Sequence, residues 1–150
     1  MQLDDIAAIL LSADFFEICD PDQRRLLAFA SERRSHIRGA ELYKAGEIAD
    51  GAHILISGVL STVPEGGGKG FEIRQPGSLI GATSLVLAKP RALTIRAVTS
   101  SETLFVPRSA FIKLAHQSPE LAARAADRIR DELGNYLSSI ETLLKRATKS

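Results

Sequence analysis

Residues 75–97 read Q-P-G-S-L-I-G-A-T-S-L-V-L-A-K-P-R-A-L-T-I-R-A, and the rest of the chain is understood outward from them. Pro76-Gly77 is a turn pair, and Gly81 marks a second tight turn. A short apolar run, Leu85 to Leu87, comes next. Pro90-Arg91 then leads into the alternating segment Leu93-Thr94-Ile95-Arg96-Ala97, which reads as a strand. A glycine turn feeding one helical turn leaves several backbone N–H groups unpaired and pointing one way, which suits a phosphate. A fixed arginine nearby, here Arg91, completes an anion site, because its guanidinium combines a permanent charge with a fork of donors.

This stretch resembles the phosphate-binding cassette of cyclic-nucleotide-binding domains, whose pattern runs roughly F-G-E-x-A-L, a spacer, P-R-x-A-T-V, x-A. Gly81, Leu85, Pro90, Arg91, Ala92, Thr94 and Ala97 occupy positions with the same or similar residues. The family's ribose-binding Glu is here Ala82, at the right spacing from Arg91. A second stretch widens the resemblance. Gly39 to Leu60, G-A-E-L-Y-K-A-G-E-I-A-D-G-A-H-I-L-I-S-G-V-L, looks like G-E-x-L-F-x-x-G-D-x-A-D-x-x-Y-x-I-x-x-G-x-V. Its glycines mark turns that need a positive φ. With the flanking helices, the resemblance covers about residues 8 to 145, and it is to the catabolite-activator type of sensor domain.

Independently of that resemblance, the pattern predicts a mainly β fold with flanking helices. From Ser35 the hydrophobic period becomes strand-like, with glycines at short intervals. Ile37, Leu42-Tyr43, His53 to Ile56, Val59 to Val63, Phe71 to Ile73, Leu79-Ile80, Leu93 to Val98 and Thr103 to Val106 read as strands. Many short, evenly spaced strands mean a sandwich, jelly roll or barrel. Pro64 to Gly70 reads as a hairpin connection. A phosphate-loop reading fails there, because Lys69 is followed by Gly70 and no helix follows.

Helices bracket the strands. Leu3 to Ser12 has amphipathic spacing, and Phe15-Phe16 packs it down. Asp20-Pro21-Asp22-Gln23 is a helix start with a capping residue, a first-turn proline and a capping-box glutamine. That helix runs to about Ser31, flanked by Arg24, Arg25, Arg33 and Arg34, which read as a solvated basic face because no aromatic interleaving accompanies them. Pro107 opens a short helix to about His116, with Phe111, Ile112 and Leu114 inward. Ser118-Pro119-Glu120 starts the last helix, which is expected to reach about Arg146. Within it Ala126, Ile129, Leu133, Tyr136, Ile140, Leu143 and Ala147 alternate at spacings of three and four, an a/d seam. The organisation expected is one domain over residues 1–150, with N-terminal helices in 1–34, a β roll in 35–106 holding the cassette at 77–97, and C-terminal helices in 107–147.

Composition narrows the classes. In 150 residues, 19 Lys and Arg nearly balance 18 Asp and Glu. No global field therefore draws the chain to nucleic acid or to an anionic membrane. The single Cys19 has no partner for an internal disulfide, which points to a reducing compartment. No signal-type segment and no apolar run long enough to span a bilayer is present, so the cytoplasm is expected. His36, His53 and His116 lie far apart in sequence, which disfavours a metal-binding jelly-roll enzyme. His53 reads as an ordinary sheet histidine. One cysteine cannot hold an iron–sulfur cluster, and a haem sensor using His and Cys is the residual alternative. Ser57 and Ser84 have no paired base in a recognisable motif, so no catalytic residues and no metal site are assigned.

The resemblance implies an eight-stranded, double-stranded β-helix or jelly-roll-like β roll with N-terminal helices and a long C-terminal dimerisation helix. It implies ligand contacts from Gly81, Ala82, Thr83, Arg91 and Ala92, with Arg91 as phosphate partner. Tyr136 and Leu137 fall where the helix abuts the base; Tyr136 either stacks on a purine or fills the seam. The seam Ile129, Leu133, Tyr136, Ile140 and Leu143, centred on Leu133, Tyr136 and Ile140, is expected to pair two copies, the alternative being a plain core helix with no partner. DNA-binding relatives continue into a helix-turn-helix domain, whereas this chain stops at Ser150, so no DNA binding by this chain alone is expected. The function implied is a non-enzymatic regulatory sensor that binds cyclic AMP, cyclic GMP or a related small anion weakly, and acts through an unknown downstream protein. The alternative is a degenerate interaction module of the same fold. A jelly-roll enzyme is disfavoured.

Overall fold

A computed structural model of the chain describes residues 3–64 and 68–130. The strands are β1 (Glu32–His36), β2 (Glu41–Tyr43), β3 (Gly51–Ser57), β4 (Leu60–Val63), β5 (Glu72–Ile73), β6 (Leu79–Ile80), β7 (Thr94–Ala97) and β8 (Ser101–Pro107). They form two four-stranded sheets, ordered β1-β8-β3-β6 and β2-β7-β4-β5. Every strand pair is antiparallel. The helices are α1 (Leu3–Ser12), α2 (Pro21–Ala30) and α3 (Arg108–Gln117), followed by α4, described over residues 119–130. The mainly β architecture with flanking helices is thus the one the strand pattern predicts.

Period-2 alternation sorts β3 between two cores. In β3, Ala52 and Ile54 join Leu104 and Val106 of β8 under the helices, where Leu10, Phe16, Leu27, Phe111 and Leu121 are fully buried. Leu55 turns the other way, into the space between the sheets, with Tyr43, Leu60, Ile80, Ile95 and Ala97. Burying one such large apolar side chain contributes roughly 1.5–3 kcal/mol. The helix starts are capped as read. Asp20 and Gln23 form a reciprocal capping box with Pro21 at the first helical position. The Ser118 hydroxyl accepts from the Leu121 amide at 3.2 Å. A 3-10 turn, Asp14–Ile18, sets the Phe15 ring edge-on to Phe16 at 5.3 Å, beside Phe111.

Three expectations need correction. Residues 32–34, assigned to the N-terminal helices, belong to β1, which pairs Arg34 with Thr103 and His36 with Ser101. The strand E-R-R-S-H carries no apolar residue, so its period left no trace in the hydrophobic pattern. Ile37, read as a strand residue, lies beyond β1 and is 78% exposed. Ile129, placed on the dimer seam, is instead buried against the chain's own core along with Leu121 and Ala125. A three-and-four spacing marks an apolar helix face without saying what covers it. The remaining seam positions Leu133, Tyr136, Ile140 and Leu143, and Leu137, lie outside the described residues, as do residues 65–67 of the glycine-rich connection.

Candidate functional site

The cassette begins where β6 ends. Gly81 has φ +82° and precedes a 3-10 turn, Ala82–Leu85. That left-handed conformation favours glycine, and space demands it too. A Cβ at Gly81 would come within 2.5 Å of the Tyr43 hydroxyl. The turn closes with the Ser84 amide on the Gly81 carbonyl at 2.9 Å and the Leu87 amide on the Thr83 carbonyl at 2.9 Å. Ser84 and Leu85 are buried.

Arg91 is held from the opposite side by the β2–β3 loop. Its amide donates to the Glu47 carbonyl at 2.8 Å, and the Gly46 amide donates to its carbonyl at 2.8 Å. Next to it, Pro90 bridges Ile48, and the Ala45 amide donates to the Thr94 hydroxyl at 2.9 Å. With its backbone pinned at both ends, the side chain lies across the Tyr43 ring, its guanidinium carbon 4.4 Å from the ring centroid. Its Nη1 makes only a long contact of 3.5 Å to Ser84 Oγ. Its Nε is buried and has no acceptor among the described residues. A buried donor left unpaired costs free energy, about 1–3 kcal/mol and more for a charged group, so such an atom calls for an acceptor.

Arg91 stands between two cavities. On the cassette side, a depression of about 290 Å³ is lined by Thr83, Ser84, Lys89, Arg91 and Ala92 among others. Three of the five residues assigned from sequence therefore meet there. Gly81 shapes the turn, and Ala82 places a methyl where the resemblance requires a carboxylate. On the other side, a pocket of about 190 Å³ opens between the two sheets, lined by Arg34, Tyr43, Glu47, His53, Arg91 and Phe105 together with neighbouring loop residues.

The groups in and behind the inter-sheet pocket, of which Tyr43 and His53 line it, are electrostatically unusual. Thr103 Oγ lies 2.8 Å from His53 Nδ1 and 2.9 Å from His36 Nε2. A hydroxyl has one proton, so it donates to one imidazole and accepts from the other. Burial above all pushes the His53 imidazole down to about 3, helped by the charges of His36, Arg34 and Arg91. His36 is lowered too, by burial and then by Arg34. The Tyr43 phenol is pushed up by burial, which outweighs the lowering effect of Arg91. It shares its proton between the Gly51 carbonyl at 2.7 Å and the Ile80 carbonyl at 3.1 Å. All three groups are therefore neutral near pH 7.

Sequence reasoning missed Arg108. At the first position of α3, a cation opposes the helix dipole, and that misfit was the available signal. Its Nη1 donates to the Ala49 carbonyl at 2.6 Å and to the Ser84 carbonyl at 3.1 Å, and its amide donates to the Asp50 carbonyl at 2.8 Å. One side chain thus ties the cassette turn, the β2–β3 loop and the start of α3 together. Arg34 was read as part of a solvated face. Its guanidinium instead lies 3.8 Å over the Phe105 ring, while also pairing with the exposed Glu32 at 3.2 Å. Among the described residues no group of three or more His, Cys, Asp or Glu is placed to hold a metal ion, and no helix is long and apolar enough to cross a membrane.

Comparison with known proteins points one way. Residues 33–118 match the family described as the cyclic nucleotide-binding domain. The chain is 30% identical to a cyclic nucleotide-binding-like protein from Brucella abortus, with a TM-score of 0.65, over 75% of this chain and 98% of that one. It superposes on the regulatory domain of Toxoplasma gondii PKA, solved with cAMP, at a TM-score of 0.70 and 22% identity, over 89% of this chain and 50% of that one. It is also 28% identical over 120 residues to patatin-like phospholipase domain-containing protein 6 from Homo sapiens; this covers 78% of the chain but spans only 9% of that relative's length.

Proposed function

Because this chain belongs to the cyclic nucleotide-binding domain family, we propose that it is a non-catalytic regulatory sensor whose cassette binds a small anion through Arg91. The observation that carries this reading is that Arg91, its backbone clamped at both ends, lines the cassette depression beside Thr83, Ser84 and Ala92. A phosphate oxygen in that depression would meet the guanidinium with a charge-assisted bond. Thr83, Ser84 and Ala92 flank the position where it would sit. The ligand class is a cyclic nucleotide or related anion, and Ala82 makes cyclic AMP and cyclic GMP weak ligands, since position 82 offers no carboxylate to accept from the ribose hydroxyl. Two copies pair through the C-terminal helix, and the signal passes to a protein partner in the cytoplasm.

A thermal-shift series tests the reading. Cyclic AMP, cyclic GMP and inorganic phosphate are added to the wild type and to Arg91→Ala. An anion-dependent rise in Tm that Arg91→Ala abolishes supports the sensor. A rise of equal size in both proteins removes Arg91 from the site and sinks it.

One observation favours a second reading, an interaction module that binds no nucleotide. The Tyr43 ring already covers one face of the guanidinium, and its hydroxyl sits hard against Gly81. Under that reading no anion changes Tm at any concentration, and the cassette surface serves a protein partner instead.

A further inference from the structure

We propose that His53 sets the hydrogen-bond polarity of the inter-sheet pocket, and that Thr103 relays the setting from His36 at the edge of the sheet. With His36 neutral, His53 offers the pocket an acceptor. With His36 protonated, His53 offers a donor without itself becoming charged. The relay is independent of whether the cassette depression binds an anion.

Three neighbouring strands carry it, since β1, β8 and β3 lie side by side. His36 stands diagonally across from Thr103, because β1 pairs Arg34 with Thr103 and His36 with Ser101. His53 stands diagonally across on the other side, because β3 pairs Leu55 with Thr103 and His53 with Phe105. The strand period puts all three side chains on one face of the sheet. Thr103 Oγ is 2.9 Å from His36 Nε2 and 2.8 Å from His53 Nδ1. Thr103 is fully buried, so no water substitutes for either bond. With a single hydroxyl proton, the two bonds must run in the same sense. His53 spends Nδ1 on Thr103, which leaves Nε2 as the ring nitrogen for the pocket that His53 lines. In a neutral imidazole one nitrogen donates and the other accepts, so the bond at Nδ1 dictates what Nε2 offers.

Charge decides which sense holds. Arg91 lines the same pocket, with its guanidinium over the Tyr43 ring, and that ring lies 5.3 Å from the His53 ring. A cation there favours a lone pair at Nε2 over an N–H. His53 then carries its proton on Nδ1 and donates to Thr103, and Thr103 donates to His36 Nε2. Arg34 acts in the same direction but less, being exposed and paired with Glu32. The other charged groups nearby do not set the sense. Glu102 neighbours Thr103 but turns to the opposite face and pairs with Arg33 at 2.6 Å, while Lys44, Glu47 and Asp50 are exposed on the pocket rim. The Tyr43 hydroxyl is committed to the Gly51 and Ile80 carbonyls.

Acid reverses the run. A protonated His36 carries an N–H on both nitrogens, so Nε2 must donate to Thr103. Thr103 must then donate to His53 Nδ1, and the His53 proton has to sit on Nε2. The protons balance: one enters at His53 Nε2 from the pocket, the Nδ1 proton passes to Thr103 Oγ, and the hydroxyl's own proton passes to His36 Nε2. The charge settles on His36 because His53 is buried, with Arg34 and Arg91 both opposing its protonation, while His36 is half-buried. At neutral pH the pocket therefore favours a ligand group that donates to His53, such as a hydroxyl or an amine. In acid it favours one that accepts, such as a carbonyl or phosphate oxygen.

Imidazole nitrogen NMR of the full chain tests this without any ligand, from neutral pH down to about pH 5, as long as the amide spectrum stays native. His36 is expected to become protonated at both nitrogens. At the same midpoint His53 stays neutral and exchanges an Nδ1–H for an Nε2–H. In Thr103→Val, His36 still titrates but the His53 tautomer stops responding. In His36→Gln, a change at a half-buried position, the His53 tautomer is constant over the same range. A wild-type His53 that keeps one tautomer throughout the His36 titration, or that takes up a second proton with it, overturns the proposal. So does a folded Thr103→Val in which His53 still follows His36.

Discussion

The guanidinium of Arg91 lies 4.4 Å from the centre of the Tyr43 ring, and the hydroxyl of that ring is anchored to the carbonyls of Gly51 and Ile80. The cassette arginine is thus shelved on a side chain from the other end of the motif, itself fixed to two strands of the facing sheet. Tyr43→Phe keeps the shelf and removes the anchor. It should cost about 1–2 kcal/mol of stability, the worth of one shared hydrogen bond plus its stranded acceptors, and leave anion binding nearly unchanged. Tyr43→Ala removes the shelf as well and should cost about 3–5 kcal/mol, as for other large aromatic truncations. Urea unfolding of the two variants checks both values, and equal losses would show that the ring contributes nothing beyond its hydroxyl.

Arg108 is the strut between cassette and helices. Arg108→Ala leaves the Ser84 and Ala49 carbonyls without this donor and should destabilise the fold by about 1–3 kcal/mol. Its more specific signature is local. Amide exchange should accelerate in residues 82–87 and 46–50 more than in β3 or β8. Uniform acceleration would mean that Arg108 contributes only global stability.

The acid side of the stability curve should be governed by His53. Its folded value near 3 lies below the ordinary histidine value of 6.5, because burial and nearby cations oppose protonation. Below about pH 6.5 the unfolded chain takes up a proton that the folded chain refuses. The stability present above pH 6.5 is therefore lost as pH falls towards 3, with a slope approaching about 1.4 kcal/mol per pH unit from this group alone. His36, lowered in the same direction, steepens the loss. His53→Gln should flatten the dependence of the urea midpoint between pH 6.5 and 4. An unchanged slope would place the acid sensitivity elsewhere.

How much of this was legible in the sequence follows from which residues signal by hydrophobicity. The turn pairs at Pro76-Gly77 and Gly81, the capping box at Asp20 and the alternation in β3 and β8 each carry a local physical rule, and each was read to within a residue or two. The β1 strand was not, because Arg34 and His36 are polar and meet rings and a threonine rather than an apolar core. The Arg91 clamp was legible as a cassette but not as a mechanism. The partners that fix it, Gly46 and Glu47, act through backbone atoms, which carry no sequence signature. Arg108 binds carbonyls too, and only its misfit with the helix dipole betrayed it.

Pairing through the C-terminal helix is a separate proposal with its own test. Leu133 and Ile140 occupy the heptad positions argued to meet a second copy. Leu133→Glu with Ile140→Glu would bury charge in an apolar contact, which is strongly unfavourable. Sedimentation is expected to show a dimer for the wild type and a folded monomer for the double variant. A wild-type monomer at tens of micromolar would remove the proposal.

The central claim is that Arg91 is the anion partner of the cassette and that Ala82 weakens it for cyclic nucleotides. Calorimetric titration of cyclic AMP into the wild type, Ala82→Glu and Arg91→Ala tests it most directly. A carboxylate at position 82 would accept the ribose hydroxyl in a charged hydrogen bond of about 1.5–3 kcal/mol, which is roughly a ten- to hundredfold change in Kd. The account predicts feeble binding by the wild type, tightening of that size in Ala82→Glu and no binding in Arg91→Ala. Tight binding by the wild type, or none in either the wild type or Ala82→Glu, would contradict it.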